Sequence, residues 1–259
     1  MSKMRRRSSG PPERSLTQID EALSATVKPP AAGLWRVGRL PDPVDVPPTP
    51  APIVNADVPL LETNRWDDAQ GQFSTLYCGT TPEACFAETL APFRPTDVVS
   101  RINAFMTEEA DEGTDFDLVS GTVPADYIHH RALAHFTVPV HRNFIDIDDA
   151  KTHAALNASI PHVPRDYGLQ GFDRGVAMTQ DRRITRRIAR HYYDLSQAHD
   201  HHAFCGIRYE SRLDAQYECW ALFVPPLPFD TAEADVTHLT WSNEHLRAAA
   251  ERLSLTLPA

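Results

Sequence analysis

The chain has 259 residues, a formal net charge of −10 and a hydrophobic fraction of 42 %, with a mean hydropathy of −0.38. This suits an ordinary globular protein with enough chain to bury a core, and no apolar run reaches membrane-spanning length. The acidic balance argues against direct nucleic-acid binding. The basic start, Met1 to Arg7, lacks the apolar centre of a secretory signal, so the expected compartment is the cytoplasm.

In chain order, residues 1–32 read as a flexible arm with room for a short helix at Leu16–Leu23, and residues 33–259 as one domain. Leu34–Arg39 alternates like a strand, with Arg36 on the face opposite Trp35 and Val37. Residues 41–60 are rich in proline, including Pro41, Pro43, Pro47 and Pro48. They predict an extended connector, since proline is excluded from helix interiors and central strands. Asn64-Arg65-Trp66-Asp67 then leads to a turn at Gly71.

Thr75–Cys78 predicts a strand, Gly79 a turn, and Thr80 the start of a helix. Thr80 and Glu83 have the spacing of a capping box, and Pro82 fits a first turn, where its missing N–H costs nothing. Ala84, Cys85, Phe86 and Ala87 make the helix apolar. Glu88 is out of place among them, because a carboxylate there needs a partner or a job.

Further on, Phe93–Pro95 ends that element, Val98–Phe105 predicts a strand and Thr107–Thr114 an acidic loop. Tyr127–Val140 fits helix or strand. Asn143–Ile147 predicts a strand, Asp148–Leu156 a helix and Pro161–Gly175 a loop. Asp181–Leu195 predicts an amphipathic helix. Ile184, Ile188, Tyr192 and Leu195 line one side, and Arg182, Arg183, Arg186, Arg187 and Arg190 the other, read as a solvated face. Phe204–Glu210, Cys219–Val224 and Val236–Trp241 predict strands. Ser242 predicts the cap of a last helix that turns Leu246, Ala249, Ala250 and Leu253 inward.

Several chemistries lack their motifs. No glycine-rich nucleotide loop and no H-E-x-x-H occurs, and Ser211 is outside a G-x-S-x-G elbow. Cys78, Cys85, Cys205 and Cys219 have no C-x-x-C spacing and read as reduced core thiols. His199-Asp-His-His202 fits a metal ligand set, and fits a polar loop as well.

Four pieces remain: Trp35-Arg36, Arg65-Trp66-Asp67, Tyr77 with Glu88, and Gly206-Ile-Arg-Tyr-Glu-Ser211-Arg212 followed by Cys219-Trp-Ala-Leu-Phe223. In this order they resemble the RES-domain family, over roughly residues 33 to 256 and most weakly between about 106 and 180. The resemblance implies an α+β fold with an ADP-ribosyltransferase-like split β-sheet core, flanking helices and a cleft for NAD+. It implies a toxin of a toxin–antitoxin pair that degrades NAD+ at the nicotinamide–ribose bond, as a glycohydrolase or phosphorylase. It also implies an Xre-type antitoxin as neutralising partner.

By position, the family arginine falls on Arg36, with Arg39 as rival, the glutamate on Glu88, the serine on Ser211 and the tyrosine on Tyr77. The chemistry suits these residues. Glu88 would stabilise oxocarbenium character at the ribose, and Arg36, helped by Arg65, would clamp the diphosphate. Tyr77 would stack on nicotinamide, and Ser211 would donate to a phosphate or ribose oxygen. No metal is called for. The competing expectations are a mono-ADP-ribosyltransferase acting on a host protein and a non-catalytic NAD-binding module.

Overall fold

The computed structural model describes residues 24–49, 64–95, 121–198, 204–225 and 229–258. Eight strands form one mixed sheet: β1 (Thr26–Val27), β2 (Leu34–Arg39), β3 (Ser74–Gly79), β4 (Arg131–Phe136), β5 (Phe144–Asp146), β6 (Gly206–Glu210), β7 (Glu218–Val224) and β8 (Asp235–His238), in the order β1-β5-β6-β7-β3-β2-β4-β8. Every pairing is antiparallel except β5 with β6. A parallel pair needs a long crossover. Four of the six helices among the described residues supply it: α2 (Ala150–Ser159), α3 (His162–Arg165), α4 (Arg174–Ala177) and α5 (Arg182–Ala198). The other two are α1 (Pro82–Leu90) and α6 (Glu244–Arg252). The expected α+β class is found, with the strands in one continuous sheet.

Alternation along the strands sorts the core into layers. On β7, Cys219, Ala221 and Phe223 join a cluster with Ile184, Ile188 and Tyr192 of α5. Trp220, Leu222 and Val224 turn the other way, to Leu34, Leu76 and Phe136. On β2 and β4, Val37 and Leu133 pack instead with α1 and with Leu246, Ala249 and Ala250 of α6. One face of the sheet therefore carries two helical packs side by side, and a cleft runs between them over β3 and β2.

The sheet is weakest at that cleft. β2 pairs with β4 along six residues but shares one register pair with β3, Trp35 with Gly79. The pairs that would follow, Arg36 with Cys78 and Val37 with Tyr77, are not made. The Arg36 guanidinium fills the wedge, donating from Nη1 to the Tyr77 carbonyl (2.9 Å) and from Nε to the Pro43 carbonyl (2.8 Å). The connector runs so close beneath β2 that a Cβ at residue 38 would lie 1.9 Å from Pro43 O, which requires Gly38.

Several expectations need correction. The N-cap of α1 is Thr81, whose hydroxyl accepts from Ala84 N at 3.2 Å. The proline therefore occupies the first helical position, and Thr80 instead bonds the Glu218 carbonyl of β7. Asn243, not Ser242, caps α6, accepting from Leu246 N at 3.0 Å. The stretch expected as a loop at Pro161–Gly175 holds α3 and the start of α4. Tyr127–Val140 divides into a 3₁₀ turn, Tyr127–His130, and β4. The last strand is Asp235–His238. Inside the stretch expected as an arm, β1 pairs with β5.

The expected arginine face of α5 is largely not solvated. Arg186 is fully buried and bonds the Asp68 carbonyl. Arg190 reaches Gln72 and Asp194, Arg187 pairs with Asp166, and Arg183 pairs with Asp181. The expectations for Leu16–Leu23, Val98–Phe105, Thr107–Thr114 and His199–His202 lie outside the described residues. No helix among those described is long and apolar enough to cross a membrane. All four cysteines are free and buried.

Candidate active site

The cleft holds a cavity of about 790 Å³. Five of the six residues singled out in the sequence line it: Arg36, Arg39, Arg65, Tyr77 and Glu88. Arg94, Arg131, Arg182 and Arg212 add to make seven arginines, and among the lining residues Glu88 is the one carboxylate. The sequence oddity of Glu88 is thereby explained. Ala84, Cys85, Phe86 and Ala87 are buried, and Glu88 alone of that run is exposed, on the wall of the cavity.

Ser211 is the sixth, and it stands behind the site. It is 2 % exposed, its hydroxyl donates to Glu88 Oε1 at 2.6 Å, and it accepts from Leu213 N at 3.0 Å. Expected as a direct ligand to phosphate or ribose, it instead fixes the carboxylate. The reason is local: β6 ends at Glu210 beside the C-terminal half of α1, and the Leu213 amide aims the serine oxygen.

Tyr77 is pinned at its far end. Its hydroxyl donates to Asp67 Oδ1 (3.0 Å) and accepts from Trp66 N (2.8 Å). Burial, and then the Asp67 charge, push this hydroxyl well above its ordinary pKa, so it stays protonated and donating. Asp67 is set by its own turn, accepting from Asn64 N at 2.6 Å. That turn is held to α5 through the Asp68 carbonyl and Arg186.

Arg65 is a buried cation without a carboxylate partner among the described residues. Its guanidinium lies 4.7 Å from the Trp66 ring and 5.0 Å from the Tyr209 ring, and it bonds the Ala177 carbonyl. Its Nε has no partner. Burial pulls its pKa down, and Arg212 adds to that, while Tyr209, Asp148 and Glu88 oppose it. A buried donor left unpaired costs about 1–3 kcal/mol. Arg36 has two of its five N–H groups committed to backbone carbonyls. It is a wedge first, and only its remaining donors are available to a ligand.

The sequence reading named Asp67, Tyr209 and Arg212 inside its motifs and Arg182 on its helix face without giving them a role in the site, and it missed Arg94 and Arg131. Arg212 directly follows Ser211, and Arg182 opens the arginine-rich helix, but neither position announced the cavity. Among the described residues no group of three or more potential ligands is arranged to hold a metal.

No curated protein matches the chain in sequence. Among solved structures, a chain in the crystal structure of the M. tuberculosis MbcT–MbcA toxin–antitoxin complex has a similar fold, with a TM-score of 0.51 at 12 % identity, over 92 % of this chain and 97 % of that one. The family model described as the RES domain matches residues 34–242, from the first residue of β2 to the residue before the α6 cap. It therefore encloses Arg36, Glu88 and Ser211, and the chain belongs to the RES domain family.

Proposed function

We propose that the protein cleaves the nicotinamide–ribose bond of NAD+ and acts as the toxin of a toxin–antitoxin pair. The observation that carries this reading is Glu88, a lone carboxylate held by Ser211 in a cavity lined by seven arginines. The cavity volume falls in the range of about 300–1,000 Å³ typical of ligand sites. The arginines that line it suit a diphosphate.

In the reaction the ribose C–N bond breaks and nicotinamide leaves with the electron pair as a neutral base. The sugar passes through an oxocarbenium-like state, whose positive charge Glu88 stabilises. Ser211 keeps Oε1 in place, so little rearrangement is needed as the charge develops. Tyr77 presents its ring as a wall for nicotinamide, at an angle fixed by Asp67 and Trp66. Water then attacks and loses a proton to Glu88, giving ADP-ribose; attack by phosphate would give the phosphorylated sugar instead.

The M. tuberculosis complex pairs a toxin with an antitoxin. By extension we assign this chain an Xre-type antitoxin partner and a cytoplasmic site of action, where its substrate is held. The test is nicotinamide release from NAD+ by the purified protein, with product masses recorded. Release that disappears in Glu88→Gln is expected, along with growth arrest on induction that an antitoxin relieves. No release by the wild type overturns the enzymatic reading, and label from NAD+ left on cell protein would favour ADP-ribosyl transfer.

A further inference from the structure

At its outer end the cavity runs into a second recess of about 500 Å³, and Arg39 and Arg131 line both. The two are direct register partners across β2 and β4. By alternation their side chains stand on the face of Val37 and Leu133, the face that carries α1. Opposed positions on an antiparallel pair place Cβ atoms about 4.5–5.5 Å apart, and like charges there repel.

No ion pair among the described residues offsets that repulsion. Among the described residues, Arg39, Arg131 and Arg94 have no carboxylate within ion-pair distance. Asp126, on the wall of the recess, faces His130 at 3.8 Å. Yet Arg131 is held in position: its guanidinium lies 4.5 Å from the centre of the Tyr127 ring, and it donates to the Tyr127 carbonyl at 3.3 Å. Tyr127 is 1 % exposed and is fixed in turn by the Thr89 hydroxyl at 2.6 Å. Arg94, on the turn after α1, lines the same cavity and donates to the Ala91 carbonyl at 3.3 Å.

Two arginines opposed across adjacent strands and lining one recess, one of them braced by an aromatic ring, make a site for a doubly charged anion. A dinucleotide diphosphate has Arg36, Arg65, Arg182 and Arg212 at hand, and the outer arginines exceed what it needs. We infer that the outer end is a subsite for a phosphate monoester, so that the preferred substrate is a dinucleotide carrying a third phosphate, of the NADP+ type. The planar forks of Arg39 and Arg131 match the three terminal oxygens of such a group. The identity of the rest of the substrate rests on the proposed cleavage of nicotinamide dinucleotides; the anion site does not.

The test measures binding of NAD+ and NADP+ separately, by calorimetry on the Glu88→Gln protein. NADP+ is expected to bind more tightly by on the order of tenfold or more. Adding Arg131→Gln should bring the ratio back towards one, and Arg131→Lys, which keeps the charge without the fork, should retain part of it. Equal binding of the two dinucleotides overturns the subsite. So does a ratio that Arg131→Gln leaves unchanged while the melting temperature stays native. Inorganic phosphate should compete with NADP+ and spare NAD+; phosphate that strengthens NAD+ binding would make free phosphate the occupant and overturn the substrate-borne assignment. If NADP+ is preferred and the wild type releases no nicotinamide from either dinucleotide, the subsite stands and the cleavage reading falls.

Discussion

Arg65, at the inner end of the cavity, lies against Trp66 and Tyr209 and bonds a backbone carbonyl, whereas Arg39 and Arg131, at the outer end, are opposed across two strands with no carboxylate paired to either among the described residues. The inner end is a set of side chains locked by other side chains: Ser211 on Glu88, Asp67 on Tyr77. The outer end is unspoken-for charge on a strand pair. The difference teaches which functions need rigidity. A group that must meet a developing charge is fixed before the ligand arrives. A group that recruits an anion needs only position and sign, and it is exposed to screening by salt.

The comparison can be broken most sharply at Glu88. Glu88→Gln should lower nicotinamide release by about a thousandfold or more, with dinucleotide binding retained in calorimetry; a variant with near-normal turnover would remove the carboxylate from the chemistry. Ser211→Ala comes next. Because Ser211 acts through Glu88, kcat should fall on the order of ten- to a hundredfold with KM little changed, and Ser211→Thr should restore part of it. A rise in KM alone would make Ser211 a ligand after all.

Tyr77→Phe keeps the ring but leaves Asp67 Oδ1 and Trp66 N without their partner. The expected cost is about 1–3 kcal/mol of stability, read in a denaturant titration, and an unchanged midpoint would show that the inner end is not locked through this hydroxyl.

The smallest effect lies at the start of α5. The Arg183 hydrogen bond holds the Asp181 carboxyl below its usual range, despite some desolvation. A depressed carboxylate stabilises the fold above its unfolded pKa of about 3.9, and that contribution fades as the pH falls through the folded value. Asp181→Asn should therefore lower the melting temperature slightly near neutrality, by less than about 1 kcal/mol in stability. The gap to the wild type should close in acid; a gap that persists at low pH would point to the Arg183 N–H bond to Asp181 Oδ1 (3.0 Å) instead of the charge.

Much of the frame was legible because it rests on period and caps. Leu34–Arg39 is the strand that its alternation predicts, and the buried run around Glu88 marked that carboxylate as misplaced. What was illegible depends on distant partners. Two adjacent threonines both qualify as a cap, and only the proline at the first helical position selects Thr81. Ser211 offers a hydroxyl whose direction is set by Leu213 N and by a helix over a hundred residues earlier. Arg131 sat in a segment that fitted helix or strand, so its opposition to Arg39 could not be seen.

The wedge of Arg36 changes how its own loss should be interpreted. Its guanidinium takes the place of a hydrogen-bonded rung between β2 and β3, as a keystone holds the span of an arch. Without it, Val37 and Tyr77 are free to zip together and shut the opening above them. A dead Arg36→Ala protein is thus a statement about architecture before it is one about phosphate. Separating the two takes a variant that keeps the spacer and loses the charge.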